Sequence, residues 1–237
     1  MLRNYFTTSL RYFLRQPIYS SINMLGLVLG LTCSIFIFIW ILDELSFDQY
    51  HPENEKVFKV MWNHNFSDGT ITTEHWTNGL LAEALKGEIP EIEEVARLSW
   101  AKVTLFKHGE KANYEYGDYA DKEIFNILNL TFTEGDKTNP LPGHNSVAIS
   151  KKMAQKYFNN ESAIGKVFRI DNTFDLTISS VFNDLPENTT ANFQFILPFS
   201  LYIKKQSVVG LDWDGSGWQT TLVKLKDKKM VLQAVSS

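Results

Sequence analysis

The amino-acid sequence predicts an α+β fold, in which a single N-terminal transmembrane helix precedes a mixed α/β domain. Two observations predict it. Residues 22–42 form a continuous apolar stretch without a charged side chain. After that stretch, short runs typical of strands are mixed with a few helical patterns and separated by turn residues.

The stretch 22–42 fits a bilayer. Thirteen of its 21 residues are Leu, Ile, Val or Phe, and as a helix it is roughly 31 Å long, close to the ~30 Å hydrocarbon core. Those thirteen contribute roughly −4 to −8 kcal/mol toward insertion. A cleaved signal peptide has a shorter apolar core that ends at small residues. Here Leu42-Asp43-Glu44-Leu45 follows, so we expect a retained anchor.

Residues 1–16 precede the anchor and are predicted to form an amphipathic helix at the membrane surface. A basic tail without helical structure is the alternative. The basic side chains of this region are Arg3, Arg11 and Arg15. The net charge of residues 1–42 is +3, whereas that of the remaining residues is −7. Because Lys and Arg near a span stay on the cytoplasmic side, we expect a cytoplasmic N-terminus and residues 43–237 outside. The apolar side of the helix is Leu2, Tyr5, Phe6, Tyr12 and Phe13.

Two features of the anchor region suggest contacts. Gly26 and Gly30 form a GxxxG pattern, a surface on which another helix can pack closely. Beyond the bilayer, the helix is expected to continue as a short stalk. The stalk residues are Asp43, Glu44, Leu45, Phe47, Asp48 and Tyr50.

The single cysteine, Cys33, lies inside the span, so the domain is expected to hold no disulfide.

The helices and strands of the domain are predicted from the alternation of apolar and polar residues, from helix-capping residues and from turn residues. A loop at 135–143 is the best candidate for an internal boundary. Helices are expected at 77–88, from a cap at Asp121 to 128, and from a cap at Ser150 to 158. Strands are expected at 57–64, 71–73, 95–100, 102–107, 112–116, 146–149, 167–170, 174–182 and 220–225, and residues 193–199 form a further apolar stretch.

No pattern of catalytic or metal-binding residues stands out, so we expect no enzyme, metal or cofactor. The five histidines lack zinc-site spacing. Residues 163–167 resemble a phosphate loop but lack its first Gly and its Ser or Thr. Residues 212–217 fit half of a calcium loop, but Val223 stands where the bidentate Glu is needed. The acidic balance argues against a nucleic-acid partner.

The order of several blocks resembles the N-terminal half of MacB/FtsX-like ABC transporter permeases, most closely the Bacteroidetes type. The blocks are "INMLGLVLGLTCSIFIFIWI", "DELSFDQYHPENEKVFKV", "IPEIEEVARL", "YADKEIFNILNLTFTEGD", "NSVAISKKMAQKYFNNESAIGKVFRID" and "TISSVFNDLPENTTANFQFILPF". Together they span nearly the whole chain, and their order and spacing carry the resemblance.

The resemblance implies a permease subunit in the inner membrane, without catalytic residues, that works with a separate cytoplasmic ATPase as a homodimer or paired permease. It divides the chain into a cytoplasmic helix (1–16), a transmembrane helix and stalk (17–48) and a MacB-like periplasmic core domain with a β-rich inserted subdomain (49–237). The family has three further membrane helices, so the chain is expected to be a fragment or a minimal single-span relative. Residues 1–237 alone are then expected to insert and fold without recruiting the ATPase. The alternative is a single-span anchored binding or sensor module without an ATPase.

Overall fold

The computed structural model describes residues 11, 15–49, 53–100, 102–206 and 219–227. Two compact units divide between Phe47 and Asp48. The helices are α1 (Pro17–Ser46), α2 (Leu81–Glu88), α3 (Ile124–Ile127), α4 (Lys151–Phe158) and α5 (Phe199–Gln206), with a 3-10 turn at Asn54–Lys56. The strands are β1 (Val57–Val60), β2 (Trp62–Asn65), β3 (Ile71–Glu74), β4 (Ile92–Leu98), β5 (Lys102–His108), β6 (Lys111–Ala120), β7 (Phe132–Gly135), β8 (Ser146–Ser150), β9 (Val167–Ile170), β10 (Phe174–Phe182), β11 (Phe195–Pro198) and β12 (Thr220–Leu225).

Among the described residues, ten strands form one mixed sheet, and β2 and β3 form a separate hairpin. The order along the sheet is β1-β12-β4-β6-β11-β8-β10-β9-β5, with β7 beside β10. Since β5 also pairs with β6, the pairings from β6 through β11, β8, β10 and β9 to β5 close a ring of six strands. The pairs β8–β10 and β6–β11 are parallel, and the other pairs of the ring are antiparallel.

The largest apolar cluster takes residues from all six strands of the ring. Phe106 of β5 and Phe168 of β9 meet edge to face, with ring centroids 5.2 Å apart, and Phe195 of β11 lies against Phe106 at 4.6 Å. Helix α4 adds Met153 and Tyr157 to the same cluster. Large aromatic side chains bury much apolar area, so this cluster is the main stabilising core of the domain.

The remaining sheet, β1-β12-β4, is covered on both faces. Leu222 and Ala96 face α3 and the second cluster. Their neighbours along the strands, Val223 and Val95, belong to a third cluster with Ala82 of α2. Successive residues of a strand point to opposite faces, so the two helices bury opposite sides of the same strands.

Two charged side chains in the interior of the domain, Glu115 and Arg97, are paired. Glu115 is 1% exposed, and its carboxylate lies 2.6 Å from Lys156 Nζ and 2.9 Å from the Tyr157 hydroxyl. Arg97 binds Asp121 through Nε at 2.8 Å. Burying a carboxylate without such a partner is costly, because the charge loses its hydration. These ion pairs therefore offset the cost of placing the two carboxylates within the folded domain.

The fold class is confirmed, as an N-terminal apolar helix followed by a strand-rich mixed α/β domain. The strands at 167–170, 174–182 and 220–225 have the predicted bounds. The predicted cap at Ser150 is also confirmed, because its hydroxyl accepts from the Met153 N–H at 3.2 Å.

Several predicted elements are wrong in their bounds. The single strand at 57–64 is divided at Met61 into β1 and β2, which belong to different sheets. Helix 77–88 begins only at Leu81, because Thr77 pairs with Gln219 in a bridge. Asp121 caps no helix, since its carboxylate binds Arg97. The loop at 135–143 is no boundary, because β7 before it pairs with β10 after it.

Candidate functional site

Helix α1 contains the predicted span. It has 30 residues, about 45 Å of helix, and is long and apolar enough to cross a membrane by length and composition. All of its large apolar side chains are exposed. Gly26 and Gly30 lie within it, and a Cβ added at either would meet nothing within 4 Å among the described residues. The face is therefore open, and helix packing on it stays a prediction.

The basic residues before the span are only partly described. Arg11 and Arg15 are helical and exposed, whereas Arg3 lies outside the described residues. Pro17 stands at the first positions of α1, where proline is favoured because its missing N–H is not needed there. The cytoplasmic placement of these arginines stays a prediction.

The predicted helical stalk is wrong in its length. Asp43, Glu44 and Leu45 do lie in the last turns of α1, but the helix ends at Ser46. Phe47 is extended, with φ −64° and ψ 134°, and Asp48 is left-handed, with φ 57°. Acidic side chains at a helix C-terminus oppose the helix dipole, which disfavours continuation. Tyr50 lies outside the described residues.

Asp48 is instead the first residue of the folded domain, and its side chain is bonded to the loop at 188–190. Its backbone N–H donates to the Asn188 carbonyl at 2.9 Å. Its carboxylate accepts from the Thr189 hydroxyl and the Thr190 N–H, both at 2.8 Å, and from the Thr190 hydroxyl. Burial raises the pKa of this carboxyl, but the Thr190 and Thr189 hydrogen bonds outweigh it and hold the pKa below its usual value.

A cavity of about 430 Å³ lies beside this loop, within the domain. One wall is the face of β1, β12 and β4, and the opposite side is formed by the end of α3 and by Thr189–Ala191. Asp48 and Lys59 also line it, and Lys59 is exposed. The principal apolar lining residues are Val57, Leu98, Ile127, Leu128 and Leu222.

One carboxylate lines this cavity from the interior. Asp118 of β6 is 7% exposed, and its Oδ1 accepts from the Ser99 hydroxyl at 2.5 Å. The Ser99 oxygen in turn accepts from the Tyr119 N–H at 3.2 Å. Burial raises the pKa of Asp118 to about 7, against the Ser99 hydrogen bond and the charge of Lys102, which lower it.

Sequence reasoning missed this site. Asp118 lies within Tyr116-Gly-Asp-Tyr-Ala, where one acid stands in a run of small and aromatic residues at the end of a strand. That is a usable signal for a buried acid. The predicted strand ended at 116, two residues too early to include it, whereas β6 runs to Ala120.

The lining lacks the usual partner of a serine nucleophile. Such a serine is typically activated by a histidine within hydrogen-bond reach, and the described lining holds no histidine beside Ser99. Across the described part of the chain, no group of three or more His, Cys, Asp or Glu is placed to hold a metal ion. The loop at 163–167 is a turn into β9, with Gly165 at φ 78°, and the loop at 212–217 lies outside the described residues.

The chain combines an apolar helix long enough to cross a membrane with a strand-rich mixed α/β domain. The family model for the MacB-like periplasmic core domain matches residues 20–237. The chain therefore belongs to the MacB-like periplasmic core domain family.

Three of the solved structures that share this fold illustrate the similarity. A domain of a protein described as a permease from Porphyromonas gingivalis aligns with TM-score 0.66 and 19% identity, covering 79% of this chain and 82% of that chain. The periplasmic region of MacB from Actinobacillus actinomycetemcomitans aligns with TM-score 0.55 and 15% identity, covering 76% of this chain and 80% of that chain. The extracellular domain of the noncanonic ABC-type transporter YknZ from Gram-positive bacteria aligns with TM-score 0.52 and 14% identity, covering 75% of this chain and 87% of that chain. The comparison with curated proteins found no match.

Proposed function

We propose that this chain is the N-terminal portion of a permease subunit of an ABC-type exporter or mechanotransmission complex. A separate cytoplasmic ATPase supplies the energy, and the domain from Asp48 onward moves on the outer side of the inner membrane. The observation that carries the proposal is the family match over residues 20–237, which includes both the apolar helix and the domain.

A mechanical role requires that force on the chain reach the folded domain. Asp48 supports this, because it is the first residue of the domain and its carboxylate and N–H bind residues 188–190 of the same domain. Hydrogen bonds to a charged carboxylate are among the stronger ones in proteins. Tension on the chain at Phe47 would therefore be transmitted to a loop 140 residues away in sequence rather than unwinding the first strand.

Crosslinking in the native organism tests the ATPase partner. The chromosomal gene product is tagged, crosslinked in intact cells and purified from solubilised membranes, and its partners are identified by mass spectrometry. An ABC ATPase subunit in stoichiometric amount is expected. The control is the same tag on an unrelated single-span membrane protein. Recovery of the intact, crosslinked full-length gene product without an ATPase would contradict the proposal, whereas residues 1–237 produced alone are expected to recover none.

A second candidate function is an anchored binding or sensor module that works without an ATPase. The cavity beside Asp118 favours it, since a volume of about 430 Å³ lies in the range of small-molecule sites. The same crosslinking experiment separates the two functions, because the module needs no ATPase among its partners.

A further inference from the structure

The cavity beside Asp118 has the size and lining of a small-molecule site. Ligand pockets in proteins measure about 300–1,000 Å³ and are mostly apolar, with a few polar groups that orient the ligand. This cavity measures about 430 Å³. Aliphatic side chains from β1, β4, β12 and the end of α3 line it, with the Asp118 carboxyl and the Ser99 hydroxyl on its interior side. The other polar lining residues are Asp48, Asn54, Lys59, Thr189, Thr190 and Thr220.

Asp118 differs from the other buried acidic side chain of the domain in its partners. Among the described residues, two acidic side chains are buried, Glu115 and Asp118. Glu115 has the ammonium of Lys156 at 2.6 Å. Asp118 accepts from a neutral hydroxyl at Ser99, and no ion pair to it occurs within the described residues.

Lys102, whose charge acts on Asp118, forms no ion pair with its carboxylate, and Lys59, which also lines the cavity, is exposed. The ammonium of Lys102 lies over the rings of Tyr119 and Tyr202, 6.0 and 5.1 Å from their centroids, and acts on Asp118 through its charge alone. An ionised carboxylate in an apolar site is costly unless a cation stands beside it. The cavity leaves room for that cation.

We propose that this cavity binds a small organic cation, with one ammonium group beside the Asp118 carboxylate and an apolar body against Leu98, Ile127 and Leu222. A bare divalent metal fits the cavity poorly, because it requires several oxygen ligands around it, and no group of three or more His, Cys, Asp or Glu among the described residues is placed to hold one. In an amine with a hydrocarbon body, the ammonium group contacts the carboxylate and the hydrocarbon contacts the aliphatic side chains of the lining. The inference is independent of coupling to an ATPase.

Binding is tested with the full chain in lipid nanodiscs by titration calorimetry, with empty nanodiscs subtracted. The probe is 4-phenylbutylamine, and 4-phenylbutan-1-ol is its neutral match. We expect the amine to bind at least about tenfold more tightly than the alcohol. Asp118→Asn should weaken the amine by a similar factor and leave the alcohol unchanged. Glu110→Gln, which removes an exposed acid elsewhere, should change neither.

The pH dependence is a further readout. The charged groups that face Asp118 or line the cavity with it are Lys102, Lys59 and Asp48, and the amine probe stays protonated across neutral pH. Since the pKa of Asp118 is raised to about 7, ionisation for binding becomes easier as pH rises. Affinity for the amine should increase roughly tenfold from about pH 6 to about pH 8, and Asp118→Asn should abolish the increase.

Three results would overturn the proposal: no measurable amine binding, equal affinity for amine and alcohol, or full amine affinity in Asp118→Asn. If the variant fails to fold, as judged by circular dichroism, the amine–alcohol comparison and the pH series on the unaltered chain decide the matter.

Discussion

Gly117 of β6 lies in such close contact with Phe195 of β11 that a Cβ at position 117 would stand 2.4 Å from the Phe195 carbonyl oxygen and 2.6 Å from its ring. These residues are direct partners in the parallel pair β6–β11. The absence of a side chain at 117 therefore allows the Phe195 ring to enter the core of the ring of strands.

Gly117→Ala is expected to destabilise the domain by about 3 kcal/mol, because the backbone or the buried Phe195 ring has to shift to admit the methyl group. Chemical denaturation followed by near-ultraviolet circular dichroism measures the loss. Gly143→Ala is the matched control, since a Cβ there meets nothing within 4 Å among the described residues. Equal stability of the two variants would contradict the close contact.

Asp48→Asn is expected to cost about 1 kcal/mol near neutral pH, a modest figure because this carboxylate is partly exposed and screened by solvent. Asn tolerates the left-handed backbone at this position, so the variant isolates the charge. The folded pKa of Asp48 is lowered, so its contribution is present above the unfolded pKa and is lost as pH falls through the folded one. The difference between variant and parent should therefore shrink below about pH 4. Glu88→Gln serves as control, and a constant difference down to low pH would contradict the assignment.

Asp118 should have the opposite pH dependence. Its folded pKa is raised to about 7 by burial, so the folded state holds a proton that the unfolded state releases near pH 4. Stability should fall as pH rises from about 4 to about 7 and then level off, by up to about 4 kcal/mol. Asp118→Asn should match the parent at low pH and exceed it at about pH 8. Parallel stability curves for parent and variant would refute this.

Lys156→Ala should destabilise the domain by about 3 kcal/mol, because it leaves the Glu115 carboxylate buried without its cation. The double variant Glu115→Leu/Lys156→Met should recover much of that loss. Arg169→Ala, which breaks an exposed pair with Asp175 at 3.1 Å, should cost less than about 1 kcal/mol. Thermal unfolding of all three variants checks the order, and an equal cost for the two single variants would count against a special role of burial.

The orientation in the membrane is predicted from Arg3, Arg11 and Arg15 before the span and the acids after it. An alkaline phosphatase fusion after Ser237 should be active, and a green fluorescent protein fusion there should be dark. Substitution of all three arginines by Glu should weaken or invert this pattern. A dark phosphatase fusion with a bright fluorescent one on the parent chain would reverse the predicted topology.

Patterns of apolar, polar and capping residues within a short segment predicted those helices and strands whose ends are determined by residues close in sequence. Strand β10 and the Ser150 cap follow from alternation and from a hydroxyl before a helix, and both are confirmed. What could not be predicted depends on distant residues. The end of α1 is followed by Asp48, whose conformation is stabilised by Thr190, and the burial of Asp118 depends on Ser99 and on strands far away in the chain. Ring closure between β5 and β9 joins residues such as Phe106 and Ile170, a pairing that no local pattern contains.

The closed ring also limits how this domain can associate with other chains. A strand with neighbours on both sides has no row of unsatisfied backbone groups to offer, and such rows are the usual template for strand addition and aggregation. Within the described residues, β1, β7 and the β2–β3 hairpin are the elements with a single pairing partner per strand. Intermolecular β-sheet growth, including the start of amyloid, would therefore have to begin at these short strands, each of four residues, while the aromatic-rich strands of the ring stay protected for as long as the ring is closed.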